Sequence, residues 1–171
     1  MTLEERVAAL EERMAALEGA GPATTALGEG DLWALEGLKQ RLAATGEAAA
    51  DGGVLFTGAV RLPTQEQYEW QYGALTSGLL DGESDDWTRA AESLAALGHA
   101  VRLRLLREIL GGRRTAAGLA ELEGLGTTGQ IYHHLRQLTA AGWLHTTGRG
   151  RYKVPAARVV PLLVVLTAAC P

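Results

Sequence analysis

The sequence predicts a mainly α fold with small β-hairpins. Three observations carry that prediction. Apolar residues recur at three- and four-residue spacing in several separate segments. Glycines punctuate those segments, at 19, 46, 98, 111–112 and 142 among others. Strand-like patterning is confined to two short stretches, 54–72 and 143–154, each broken by a turn.

Composition narrows the function classes. The chain has 171 residues, 47% hydrophobic and 21% charged, enough apolar material for a packed core. Cys170 is the single cysteine, so neither an internal disulfide nor a cysteine-cluster zinc site is expected. The N-terminal charges are interleaved with alanine and leucine, so no secretory leader is expected. The longest apolar run, 159–166, falls well short of the roughly 20 residues a membrane span needs. A cytoplasmic location without membrane contact follows as the expectation. Charge is divided unevenly. Residues 1–86 carry 5 Lys/Arg against 16 Asp/Glu, and residues 87–171 carry 11 against 4. A basic half is a candidate for nucleic acid, although a merely solvated basic surface gives the same count.

Residues 1–19 read as a coiled-coil dimerisation helix. Leu3, Val7, Leu10, Met14 and Leu17 are spaced four, three, four, three. That places Val7 and Met14 at a and the three leucines at d. Arg6 and Arg13 then fall at g, and Glu4, Glu11 and Glu18 at e. Parallel pairing sets Arg6 against Glu11 and Arg13 against Glu18 of the partner; antiparallel pairing would oppose like charges. A helix this short is marginal alone, so a second dimer contact is needed. An amphipathic helix packed on its own chain is the competing reading. Residues 20–30, rich in Gly, Ala and Thr, form a linker.

Residues 31–83 read as a small helix plus β-hairpin. Asp31 can cap a helix carrying Leu32, Leu35, Leu38 and Leu42, ending near Gly46. Val54 to Leu62 is a strand with Val54, Phe56, Val60 and Leu62 on one face. Glu66 to Tyr72 alternates, with Tyr68, Trp70 and Tyr72 together. The hairpin is expected to pack on the preceding helix. Phe56, Tyr68, Trp70 and Tyr72 then have two readings, a pocket for a small-molecule effector or the aromatic core of a small sheet.

Residues 84–154 carry the most specific pattern. Ser84 or Asp85 caps a helix from about Asp86 to Gly98, and a second helix covers Ala100 to Leu110. Thr115 opens a short helix to Leu122, and Gly124 and Gly126 make a turn. Thr127 or Thr128 caps the next helix, Gly129 to Ala140, ended by Gly142. Two short helices joined by a glycine turn form a helix-turn-helix. Trp143 to Thr147, the Gly148-Arg149-Gly150 tip and Arg151 to Val154 make a β-hairpin, completing a winged helix-turn-helix. At 100° per residue, Ile131, Leu135 and Leu138 define the buried face of the 129–140 helix. Gln130, His133, Arg136 and Gln137 face outward. Glutamine can pair with adenine, and arginine with guanine or phosphate. Thr127 and Thr128 at the helix start, and Arg149, Arg151 and Lys153 on the wing, join the expected DNA contacts.

Residues 88–154 resemble the ArsR/SmtB-type winged-helix regulators. The residues that carry the resemblance are Leu94-Ala95-Ala96-Leu97-Gly98-His99-Ala100-Val101-Arg102-Leu103, Leu119-Ala120-Glu121, Ile131-Tyr132-His133-His134-Leu135-Arg136-Gln137-Leu138 and Ala141-Gly142-Trp143-Leu144. The resemblance implies a homodimer whose recognition helices enter successive major grooves. By position it turns Gln130, Tyr132, His133 and Arg136 toward DNA, with Arg149 and Arg151 on the wing. The family's metal sensors often carry a cysteine pair on the helix before the recognition helix. Residues 115–122 have none, so the chain reads as a variant that does not sense metal, with an added N-terminal coiled coil. His133 and His134 lie about 100° apart on their helix, unsuited to sharing one ion. No metal, no cofactor and no catalytic constellation is expected.

Residues 155–171 read as a C-terminal dimerisation helix, from about Ala157 to Ala169, with Pro161 in its first turn. It is apolar on all sides and must be buried. Leu162, Val165 and Leu166 are the expected contacts to the partner subunit. The function expected is a bacterial-type, sequence-specific transcription regulator, a repressor acting as a homodimer on double-stranded DNA. The alternative is a winged-helix protein–protein interaction module that does not touch DNA.

Overall fold

The computed structural model describes residues 32–148 and 150–170. The expected zipper positions Leu3, Val7, Leu10, Met14 and Leu17, and the wing-tip Arg149, lie outside the described residues. The chain divides into two compact units, residues 1–37 and 38–171. The architecture is mixed: several helices and two small antiparallel β-hairpins.

In chain order, α1 spans Trp33–Thr45 and β1 and β2 span Gly53–Arg61 and Gln67–Leu75. Then α2 spans Thr76–Leu80, α3 Ser84–Leu97, α4 Ala100–Leu110, α5 Ala116–Ala120 and α6 Thr128–Ala140. The short strands β3, His145–Thr146, and β4, Tyr152–Lys153, precede α7, Ala156–Ala169. Helix α2 has no counterpart in the sequence pattern. Helix α3 begins at Ser84 behind Glu83 and has no side-chain cap, against the expected Ser84 or Asp85.

Leu105, Leu106, Ile109, Leu119, Ile131, Leu135, Leu138, Leu144 and Leu162 are almost wholly removed from water and form one core with Leu62 of the first hairpin. Each such side chain contributes roughly 1.5–3 kcal/mol of burial. The turn between α5 and α6 holds Gly124 and Gly126 at φ +75° and +90°. This left-handed backbone is open to glycine at little cost, and it drops Leu125 between them into the core.

The first hairpin pairs Phe56 with Tyr72, Gly58 with Trp70 and Val60 with Tyr68. Its main packing partner is α7. At Gly58 a side chain is excluded, because a Cβ there would lie 2.6 Å from Val160 Cγ1. Helix α1 has no fully buried residue, but its Leu38 and Leu42 are half-buried and line a cavity with Gly53, Val54 and Tyr72 of the hairpin.

Helix α7 corrects two expectations. It starts at Ala156, which puts Pro161 inside the helix, past the first turn where a missing N–H costs nothing. Leu162 is fully buried in the core of its own chain, so it is not a surface contact to a partner. Val165 and Leu166 are half-buried. Among the described residues, no helix is long and apolar enough to cross a membrane.

Candidate nucleic-acid interface

Helix α6 starts at a capping box. Thr127 Oγ1 accepts from the Gln130 backbone N–H at 3.4 Å, and Gln130 Oε1 accepts from the Thr127 backbone N–H at 2.8 Å. The arrangement satisfies two donors that the first turn otherwise leaves unpaired. It also fixes Gln130. The side chain is exposed, but its carbonyl oxygen is already engaged.

Beyond the cap the helix divides sharply. Ile131, Leu135 and Leu138 are completely buried. Gly129, Tyr132, His133 and Arg136 are exposed away from that stripe, with Tyr132 at 45%, and Thr128 is exposed at the start of the helix. Gln137, expected among them, is half-buried and accepts from Arg102 Nη1 at 2.7 Å. Arg102 also donates through Nε to the Ala96 carbonyl at 2.5 Å and through Nη2 to the Ala95 carbonyl at 2.8 Å. One guanidinium thus closes the C-terminal end of α3 and ties it to α6. The sequence held a signal for this. A cation in the first turn of α4 opposes that helix's dipole, so its partner had to lie elsewhere.

The second hairpin stands beside α5. Its return strand also pairs with the chain entering α5: Thr115 bridges Arg151, and the Tyr152 N–H donates to the Arg114 carbonyl at 2.7 Å. Arg151 is exposed. Lys153 is not a free cation. Its ammonium donates to Glu66 Oε1 at 2.7 Å, and Arg114 Nη2 donates to Glu66 Oε2. Thr64 Oγ1 donates to the same Oε2 at 2.9 Å. Lys153 and then Arg114 hold the Glu66 carboxyl down to about 2, and Glu66 in turn raises Lys153. Lys153 and Gln137, both expected as outward contacts, are engaged in intramolecular bonds.

The histidines form a small cluster. The His99 and His134 rings lie 4.7 Å apart, and His133 lies 5.8 Å from His134. His99 Nδ1 caps α4 by accepting from the Val101 N–H at 3.2 Å. His134 Nδ1 is buried without a hydrogen-bond partner. Burial, and then the neighbouring His99 and Arg102, push its pKa down. Among the described residues no group of three or more His, Cys, Asp or Glu is gathered as for a metal ion.

The four hairpin aromatics share one face, and the Phe56 and Tyr72 rings lie 5.9 Å apart. Trp70 is 40% and Tyr72 57% exposed, while Phe56 and Tyr68 are half-buried. Tyr72 lines an open cavity with Leu79, Leu80 and Trp87. The sequence pattern does not bring Leu79, Leu80 and Trp87 to Tyr72, because it contains no signal for α2. No family model, no curated protein and no solved structure matches the chain.

Proposed function

We propose that the chain is a sequence-specific DNA-binding transcription regulator that acts as a homodimer, with α5–α6 as a helix-turn-helix and the second hairpin as its wing. The observation that carries the reading is the division of α6. Three fully buried aliphatic side chains anchor it, while Tyr132, His133 and Arg136 stand exposed together, with Thr128 exposed at the helix start. Arg136 and Arg151 supply phosphate attraction or guanine contacts, and Tyr132 and His133 read base edges. The likeness to ArsR/SmtB-type regulators rests on the sequence of this same region. The parallel zipper read from residues 3–17 supports the dimer, whose two recognition helices would lie one DNA turn apart, roughly 34 Å.

Selection of duplexes from a random library by the purified protein tests the reading. One enriched motif with twofold symmetry is the expected result. Equal retention of all duplexes at moderate salt, or none at low salt, overturns it.

A second reading has one observation in its favour. Trp87 and Leu94 on α3 are 57% and 54% exposed, and Leu80 is 64% exposed. Apolar side chains left in water at this density suit a protein contact. The selection experiment separates an interaction module, which enriches no motif, from the regulator.

A further inference from the structure

The rings of His99 and His134 lie 4.7 Å apart where the start of α4 meets α6. His99 is the N-cap of α4, and its Nδ1 accepts from the Val101 N–H at 3.2 Å. A nitrogen that accepts carries no proton, so His99 holds its one ring hydrogen on Nε2. A second proton can go only to Nδ1. There it faces the Val101 N–H, ends the cap and sets a cation at the start of α4, where Arg102 already opposes the helix dipole. His134 resists a proton from the other side. Its Nδ1 is buried without a hydrogen-bond partner. His99 and Arg102 from α4, and His133 from its own helix, all disfavour its charged form. Gln137 favours it, but the Gln137 carbonyl oxygen already accepts from Arg102 Nη1 at 2.7 Å. From α3, Glu92 lines the cleft shared by Arg102 and Gln137. Among the described residues it makes no ion pair with Arg102 or with either histidine.

Arg102 is the bond that both rings protect. Its guanidinium ties Gln137 of α6 to the Ala95 and Ala96 carbonyls at the end of α3. A charged His134 repels that guanidinium and competes with it for the Gln137 oxygen. A charged His99 uncaps the helix that carries it. We propose that His99 and His134 form a proton-operated latch, which holds α6 to α3 and α4 while both rings are uncharged and releases it when either takes up a proton. Burial, and then His99 and Arg102, hold the His134 pKa below 6.5, so the closed form is complete above that pH and is opposed below it. Only a consequence for DNA rests on the regulator reading, in which α6 is the recognition helix; the latch does not.

The test is NMR of the full chain, without DNA, following histidine rings and amides from about pH 8 to about pH 5. The expected result is one shared transition below pH 6.5. The His134 ring, the Val101 amide and the Gln137 side-chain amide should move together, while the methyl groups of Leu105 and Leu162 in the core stay in place. His99→Asn keeps a cap that cannot take the proton, so its Val101 amide should not titrate. His134→Phe keeps a ring without a charge and should leave the Gln137 amide unmoved; it is the second variant if the first does not fold. Val101 and Gln137 amides that stay still while the rings titrate overturn the proposal, as does the same transition in both variants. Simultaneous loss of the core signals also overturns it, since the opening would then be global unfolding. A separate anisotropy titration of the duplex recovered by selection reads the consequence. The ratio of the wild-type to the His99→Asn dissociation constant should rise about tenfold between about pH 7.5 and about pH 5.5. His133 is present in both chains, so its own attraction for phosphate cancels. A flat ratio beside a clear NMR transition removes the consequence and leaves the latch standing, and failure to recover any duplex overturns the regulator reading alone.

Discussion

Glu66 and Lys153, 87 positions apart in sequence, meet at 2.7 Å and join the tip of the first hairpin to the return strand of the second. Arg114 completes the arrangement from the segment that enters α5. All three side chains are between a fifth and a third exposed, so the network is partly screened by water.

Glu66→Gln should therefore lower stability by about 1 kcal/mol in urea denaturation near neutral pH. The pH dependence is the sharper readout. The folded-state pKa of Glu66, about 2, lies below its ordinary 4.5. Its contribution is complete above 4.5 and is lost as pH falls toward 2. In the variant that loss should disappear. A wild-type melting curve flat between about pH 5 and pH 3 would contradict the assignment.

Under the proposed DNA-binding reading, the same network distinguishes paired cations from unpaired ones. Arg136→Ala with Arg151→Ala should weaken binding to every duplex and reduce the salt slope by about 0.9 for each phosphate no longer neutralised. Lys153→Ala should leave the slope unchanged, since its charge is already paired with Glu66. Anisotropy titrations at several salt concentrations distinguish the two. An equal slope change from both variants would mean that Lys153 leaves Glu66 on binding.

Thr127→Ala removes one half of the capping box at α6 and should cost about 1 kcal/mol. The backbone N–H of residue 127 that donates to Gln130 Oε1 is kept in alanine, so Gln130 holds its position. Urea denaturation should show the loss while duplex selection returns an unchanged sequence preference. A changed preference would mean that the Thr127 side chain itself takes part in recognition.

His134 makes a prediction of its own. Its folded-state pKa is below the ordinary 6.5 because burial, His99 and Arg102 all disfavour the charged form. Below pH 6.5 the unfolded chain takes up a proton that the folded chain resists, so stability is full above that pH and falls as the solution is acidified. His134→Phe should flatten this fall below pH 6.5. Persistence of the same slope in the variant would locate the titrating group elsewhere.

At Gly58 the expected outcome is steric. Gly58→Ala places a methyl group against Val160 and should cost about 1–3 kcal/mol. Val160→Ala in the same chain should restore part of that loss. Chemical denaturation of the two single variants and the double variant closes the cycle. Additive losses would show that the two positions do not share a packing constraint.

Much of the element order was legible because it is governed by local chemistry. Gly98, Gly111 and Gly142 set the ends of α3, α4 and α6, and Thr115 and Thr127 cap α5 and α6 as their types predict. The buried face of α6 followed from the spacing of Ile131, Leu135 and Leu138, since helical period alone decides which side chains share a side. Helix α2 escaped because a single turn carries too few residues for a period to show.

Which exposed polar groups remain free was decided only by tertiary structure. Gln137 and Lys153 carry the right chemistry at the right spacing, yet Arg102 takes one and Glu66 the other. Both partners come from distant segments, 35 and 87 residues away. The placement of the first hairpin on α7 has the same origin. Glycine at 58 leaves the gap that Val160 occupies, and no pattern within either segment records the other. Local sequence sets what each segment can offer; only the closed chain, by bringing charges and volumes within a few ångströms, determines which offers are taken up.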